Sequence, residues 1–352
     1  MMSSSRNTDN PKSTLLTLYM TVKRPFTPPF YLRHPHIQSA LNSVGPRKRR
    51  ANRLAERLNS EALILTTNDG VRLAAEFDLS TQKKAASKGA LVVMIHGWEG
   101  SSKSAYQVTT AKYLLDHGYD VLRLNMRDHG DTQHLNRELF NSTMVGEVGD
   151  AVEIFLNQRP YQSVFLAGFS LGGNFTLRIA ADRGSALGLS AAVAICPPVD
   201  PVNAMAALNQ GSFIYRKYFM YRWTKSLRKK LVHFPEYDFG PELEGAKTFA
   251  ELNAFFVPRH TEFKDADSYF RSYALTGDRL SSLSIPAHLI AASDDPIIPV
   301  SDLDKINCPE KLNLEVYDYG GHCGFILNMQ AHSYMEPRLV ELFDGYLAAS
   351  SG

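Results

Sequence analysis

Apolar strands alternating with helical patterns predict an α/β architecture for this 352-residue chain: a mostly parallel eight-stranded sheet with helices on both faces and an inserted helical cap. Three observations carry that prediction. Short apolar runs recur with 3.6-periodic segments between them from Val92 onward, which implies right-handed crossovers between parallel strands. Two strand patterns near residue 70 flank a turn containing Asp69-Gly70 and read as a hairpin. Finally, the run 163–167 passes through Gly168-Phe169-Ser170-Leu171-Gly172 into a helical pattern, so a sharp turn joins a buried strand to a helix.

The elements follow in chain order. Residues 1–60 read as an arm, disordered at first and then wrapping the core. Strands are expected at 62–66, 72–77, 90–95, 120–125, 163–167, 191–195, 288–292 and 312–317. The run Ala90-Leu91-Val92-Val93-Met94-Ile95 is continuously apolar, as suits a central parallel strand buried on both faces. Helices are expected at 105–117, 145–157 and 171–182, with a terminal helix near 335–348. Ser170 and Asp295 are 125 residues apart, more than two further strands and helices require. The excess divides the chain into an arm (1–60), a first core part (61–198), a cap (199–278) and a second core part (279–352).

The motifs lie where these strands end. The glycines flanking Ser170 permit a strained turn that bulk two residues away would block. Such a turn exposes a serine Oγ at a helix N-terminus, where developing negative charge is favoured. A serine hydroxyl needs a base, and the base needs an orienting acid. Downstream, the run 287–292 ends in Ser293-Asp294-Asp295-Pro296, and the strand 312–317 is followed by Gly320-Gly321-His322-Cys323. Serine, carboxylate and histidine thus appear in that order, each just past a strand. The strand 90–95 ends in His96-Gly97-Trp98-Glu99-Gly100, whose backbone N–H groups can meet that of Leu171 as an oxyanion hole. Trp98 N–H is the expected first donor. His96 is read as structural, its ring bonded to loop backbone, and Cys323 as packing behind the histidine loop because Ser170 already occupies the turn.

Composition narrows the class. Hydrophobic residues make up 44% of the chain, enough for a sizeable core. A net charge of +2 implies no obligate polyanion partner. The Arg47-Lys48-Arg49-Arg50 run reads as a solvated loop or helix start, because no nucleic-acid-binding fold accompanies it. Cys196, Cys308 and Cys323 match no metal or disulfide framework and suit a reducing cytosol, so a cytoplasmic protein is expected. No apolar run approaches the ~20 residues of a membrane span. Residues 1–11 lack the apolar region of a leader, and 15–22 is too short to supply one.

Two further segments carry an ordinary reading beside a functional one. Residues 212–235 contain seven Lys and Arg and no acid, interleaved with Phe213, Tyr215, Tyr218, Phe219, Tyr221 and Trp223. The functional reading is a surface for anionic lipid. The favoured one is a cap helix whose aromatics pack on the core while its lysines face water. Phe169, Phe219 and Trp223 are candidate pocket residues. Asp128, His129, Asp131 and His134 fit no standard metal spacing and are read as local hydrogen bonding at the pocket rim. No metal or cofactor is expected.

With these residues in place, the chain resembles the α/β hydrolases, and within them the YheT-like branch related to the ABHD esterases and lipases. The resemblance rests on Pro25-Phe26-Thr27-Pro28-Pro29, on Leu32-Arg33-His34-Pro35-His36-Ile37-Gln38, on His96-Gly97-Trp98-Glu99-Gly100-Ser101, on Gly168–Asn174 and on the Asp295 and His322 loops. It implies a triad of Ser170, Asp295 and His322. Asp295 is preferred to Asp294 because the branch places the acid four residues before a proline, here Pro299. Where the branch often has Arg-Gly-x-x-Gly, this chain has Arg127-Asp128-His129-Gly130-Asp131. The expected reaction is hydrolysis of carboxylic esters, short- to medium-chain or acylglycerol-like, through an acyl-enzyme and without a protein partner. An acyltransferase would use the same residues, and a non-catalytic ligand-binding protein is a third class. Association with a membrane surface is not favoured.

Overall fold

The computed structural model describes residues 22–23, 26–82 and 89–350. Segment 1–11, most of 15–22 and Pro25, all considered above, lie outside them.

A single sheet of nine strands organises the chain, in the order β1-β9-β8-β7-β6-β4-β5-β3-β2. Eight strands lie where sequence patterning places them. They are β2 (Glu61–Thr66), β3 (Arg72–Asp78), β4 (Ala90–Ile95), β5 (Asp120–Leu124), β6 (Ser163–Phe169), β7 (Leu189–Ile195), β8 (Ala287–Ala292) and β9 (Leu312–Tyr317). The ninth, β1 (Val22–Lys23), pairs in parallel with β9; two residues are too few to show a period. The β2–β3 hairpin is antiparallel and so is the β3–β5 pair, while the pairs β5–β4, β4–β6, β6–β7, β7–β8 and β8–β9 are parallel.

The central strands explain their own composition. Leu91, Val93 and Ile95 enter one core layer, and Ala90, Val92 and Met94 enter the other. A strand covered on both faces needs apolar residues at every position. The first layer is closed by α4 (Val145–Gln158) and α5 (Leu171–Arg183), the second by α3 (Ala105–Asp116) and α11 (Met335–Ser350).

The arm is built into the domain. Its helices α1 (Pro35–Leu41) and α2 (Pro46–Ala55) lie beside α3 and the histidine loop. The basic run opens α2, yet it is not simply solvated. The Arg47 guanidinium is fully buried and donates to Asn42 Oδ1, Thr109 Oγ1 and Glu336 Oε1, and Arg50 reaches the same carboxylate at 2.8 Å. Sequence cannot anticipate this because the acid that pairs with the buried Arg47 is 289 residues away.

Between β7 and β8 the chain leaves the sheet through α6 (Pro201–Gln210), α7 (Phe213–His233), α8 (Gly240–Gly245), α9 (Phe249–His260) and α10 (Ala266–Ser272). Part of this excursion has its own apolar cluster, with Leu227, Phe239, Leu243, Leu252 and Phe256 packed together with Leu139.

Candidate active site

Four loops at the carboxyl edge of the parallel strands converge above β6. The turn after β6 holds Ser170 at φ 53°, ψ −123°, a left-handed region that non-glycine residues enter only under constraint. Its constraint is steric. A Cβ on Gly168 would lie 2.2 Å from the Gly172 carbonyl, and one on Gly172 would lie 2.4 Å from the carbonyls of Ile95 and His96. Only glycines let helix α5 start so close to β4 and β6. Ser170 N–H donates to Ile195 O at 2.8 Å, fixing the turn against β7.

The loops after β8 and β9 bring the other two side chains to this turn. His322 Nε2 lies 2.8 Å from Ser170 Oγ, and His322 Nδ1 lies 2.8 Å from Asp295 Oδ2. In the neutral imidazole, Nδ1–H donates to the carboxylate and Nε2 accepts from the serine hydroxyl. The other oxygen of Asp295 accepts the N–H groups of Ile297 and Ile298 at 2.8 and 3.0 Å, so the carboxylate is fully engaged and points one way. Asp294 is used differently, accepting the Gly321 N–H at 2.8 Å. Burial would depress the pKa of His322, but the Asp295 charge outweighs it and raises it well above the ordinary 6.5.

Two residues that sequence reasoning passed over brace the histidine loop from the arm. His322 N–H donates to Ser39 Oγ, which donates to Pro35 O, both at 2.8 Å. Gln38, fully buried, bonds to the backbone of Leu32 and of Ile326. The available signal was Gln38 within the arm motif, an amide in a segment otherwise read as peripheral.

The loop after β4 supplies the fourth component. Gly100 N–H closes a turn onto Gly97 O at 2.9 Å, and Glu99 sits at φ 56°. Trp98 and Leu171 both border the cavity over Ser170, and neither backbone N–H has an acceptor among the described residues. His96 donates from Nδ1 to Gly97 O at 2.8 Å and accepts the Met126 N–H at Nε2 at 3.1 Å. Burial, aided by His129, holds its pKa well below the ordinary value. Both ring nitrogens are committed, so His96 props the loop. Cys323 is buried, its thiol 3.5 Å from Ile195 O.

The cavity measures about 470 Å³ and is bordered by residues from the arm, the β4 loop, the end of β6 and the excursion, among them Phe169, Phe219 and Trp223. Trp98 inserts into the excursion's aromatics. Its ring stacks on Phe219 (5.4 Å, 4° between planes) and meets Trp223 at 5.6 Å and Phe249 at 5.9 Å. Arg222 donates to the Glu99 carbonyl. Helix α7 therefore holds the β4 loop at the Trp98 ring and at the Glu99 carbonyl. Burial also pushes the Glu99 carboxyl up to about 7.

Two expectations change here. Residues 128–134 do not line the cavity; Phe140 and Ser142 do. Asp128 instead accepts from Lys230 Nζ at 2.8 Å, and the same ammonium donates to Asn136 O and Glu138 O. Lys230 is thus one lysine of the basic helix that does not face water, being 1% exposed. Nor do all the aromatics of α7 pack inward: Phe213 and Tyr221 are exposed away from the cavity, Tyr218 is exposed at its edge, and Phe219 and Trp223 line it. A 21-residue helix with rings on every side cannot bury all of them against one layer. Among the described residues no cluster of His, Cys, Asp and Glu is arranged for a metal, and no helix is long and apolar enough to cross a membrane.

Comparison with known proteins agrees with this architecture. The chain is 26% identical over 274 residues to the Escherichia coli protein named "Putative esterase YheT", covering 74% of this chain and 78% of that one. It is 23% identical over 282 residues to the medium-chain fatty acid ethyl ester synthase/esterase 2 of Saccharomyces cerevisiae, covering 72% of this chain and 61% of the yeast protein. Among solved structures, an esterase of Pyrococcus furiosus superposes with a TM-score of 0.54 at 16% identity, covering 93% of this chain and 99% of that one; at that identity the likeness concerns the fold. The family model described as the alpha/beta hydrolase fold matches residues 90–328, which takes in all four loops around Ser170, and the chain belongs to that family.

Proposed function

We propose that the protein is a serine esterase, with Ser170 as nucleophile, His322 as general base and Asp295 as the acid that orients it. The observation that carries this reading is the unbroken hydrogen-bond chain from Ser170 Oγ through His322 to Asp295, opening on a cavity bordered by Trp98 and Leu171. Relatives named as esterases support it.

His322 Nε2 takes the Ser170 proton as Oγ attacks the ester carbonyl. The backbone N–H groups of Trp98 and Leu171 meet the oxyanion of the tetrahedral intermediate, and the N-terminus of α5 adds its positive potential. His322 then protonates the leaving alcohol, and water repeats the sequence on the acyl-Ser170 ester. Asp295 keeps Nδ1–H pointed away from the serine and stabilises the imidazolium. Residues 199–278 act as a cap. Phe219 and Trp223 line the part of the cavity that receives the acyl chain, which suits a short- to medium-chain or acylglycerol-like ester.

A fluorophosphonate probe tests the assignment. It should label Ser170 in the native protein, and Ser170→Ala should abolish labelling and lower kcat by at least ~10³-fold on a soluble ester. Native-like turnover by folded Ser170→Ala would overturn the reading.

A further inference from the structure

The exposed apolar side chains of this protein are gathered at one place. Among the described residues, eight of the twelve large apolar side chains that face solvent lie in segments 30–44 and 213–221. Four stand out: Phe30 at 80%, Ile214 at 74%, Phe213 at 64% and Tyr221 at 58% exposure. Isolated exposed apolar residues need no explanation, but a gathered patch marks a contact surface.

The two segments are neighbours. His36 Nδ1 and Tyr215 Oη are hydrogen bonded at 2.9 Å, with rings 5.3 Å apart. Both segments also border the cavity over Ser170, the arm through Val44 and Lys48 and α7 through Tyr218 and Phe219. The patch therefore adjoins the cavity over Ser170, which it meets at Val44, Lys48, Tyr218 and Phe219.

Charge identifies what the patch meets. Residues 26–55 contain six Lys and Arg and no acid, and α7 contains seven and no acid. The rest of the chain is left with 25 Lys and Arg against 36 Asp and Glu, so a protein with net charge +2 is strongly polarised. Some of these cations are already paired: Arg47 and Arg50 with Glu336 and Lys230 with Asp128 in buried contacts, and Lys229 with Asp131 at the surface. Lys48, Arg49, Lys217 and Lys225 are exposed and form no ion pair among the described residues. Lys217 lies over the Phe213 ring at 5.9 Å and Lys225 over Tyr221 at 5.8 Å. Rings flanked by ammonium groups match the boundary between acyl chains and anionic headgroups, where the ring enters and the cation stays at the phosphates.

We propose that this face docks the protein on an anionic lipid surface and that the cavity takes its ester from that surface. The second half deepens the esterase reading and rests on it; the docking itself does not.

The experiment uses the full chain in co-sedimentation with vesicles of phosphatidylcholine alone or of equimolar phosphatidylcholine and phosphatidylglycerol. The protein should sediment with the mixed vesicles at low salt and be released as salt rises. Replacing Phe213→Ser and Ile214→Ser together should weaken this binding about tenfold or more. Lys217→Glu with Lys225→Glu should weaken it by at least roughly fivefold per charge. None of these four residues borders the cavity, so both double variants should keep the native kcat/KM on a soluble short-chain ester. Native protein that ignores mixed vesicles at low salt overturns the proposal, as do variants that bind like native. A reversible dimer that Ile214→Ser dissolves, without vesicle binding, would assign the patch to a second copy of the chain instead. If vesicles bind but the fluorophosphonate does not label Ser170, the esterase reading fails and the docking surface stands.

Discussion

Ser170, Asp295 and His322 reach the cavity from turns at the ends of strands, whereas Phe219 and Trp223 reach it from helix α7 of the excursion between β7 and β8. The rim of the sheet is fixed by backbone. Glycines at 168 and 172 allow carbonyl contacts that no side chain would survive, and Asp295 is held by two N–H groups besides His322. The excursion is fixed by side chains: stacked rings, one buried lysine and the Arg222 hydrogen bond to the donor loop. The geometry of Ser170, Asp295 and His322 should therefore tolerate changes in the excursion, while pocket shape and the placement of the Trp98 loop should not.

The sharpest test of the rim is Asp295→Asn, expected to lower kcat/KM by about 10²- to 10⁴-fold, since the amide cannot stabilise the imidazolium and favours the wrong tautomer. Protonated His322 cannot take the Ser170 proton, so activity falls as pH drops through its raised pKa. The acid limb of the native pH profile should lie above 6.5 and move to lower pH in the Asn variant. A limb that stays put would belong to Glu99, whose carboxyl burial pushes up to about 7. Asp294→Asn should keep far more activity, because an amide oxygen can still accept the Gly321 N–H. The reverse ranking would make Asp294 the acid.

For the excursion, Lys230→Met should have the largest effect, on stability. It strands the buried Asp128 carboxylate, which costs about 3–5 kcal/mol in urea unfolding. Lys229→Met, which breaks the exposed pair with Asp131, should cost under ~1 kcal/mol. Equal losses would mean that the buried latch does not hold α7.

Arg222→Met probes the junction between the two regions. Freed from Arg222, the Glu99 carbonyl no longer pins the loop bearing Trp98 N–H, and kcat should fall about tenfold with a smaller change in KM. A change confined to KM would place Arg222 in substrate binding alone.

The smallest effect should come from Phe219→Ala and Trp223→Ala. Each acyl methylene in an apolar pocket is worth up to about 0.8 kcal/mol, so preference between neighbouring chain lengths should shift several-fold while Ser170 labelling persists. An unchanged profile in both variants would remove these rings from the pocket.

Strands, crossover helices and the four loop motifs were legible because each depends on local pattern. Burial on both faces leaves a continuous apolar run at 90–95, and a strained turn leaves glycines at fixed offsets. The fate of Arg47 and Lys230 was not legible. Both sit in basic runs that look solvated, and each is buried against a carboxylate partner about a hundred or more residues away. The roles of Ser39 and Gln38 were hidden for the same reason, since the loops they brace lie near residue 322. The inward and outward rings of α7 could not be sorted because aromatics fall on every side of that helix, which leaves its apolar direction undefined.

By itself the sequence determined an α/β sheet, the order of its strands along the chain and the types of residue at their carboxyl ends. These follow from side-chain period and glycine sterics, which act over a few residues. Tertiary structure alone decided that the arm packs beside the histidine loop, that α7 contacts Trp98 and Glu99, and that two distant segments carrying exposed apolar side chains meet next to one cavity. Those outcomes depend on which surfaces meet after the sheet has closed, and contacts between residues 36 and 215 or 128 and 230 leave no periodic trace in the chain.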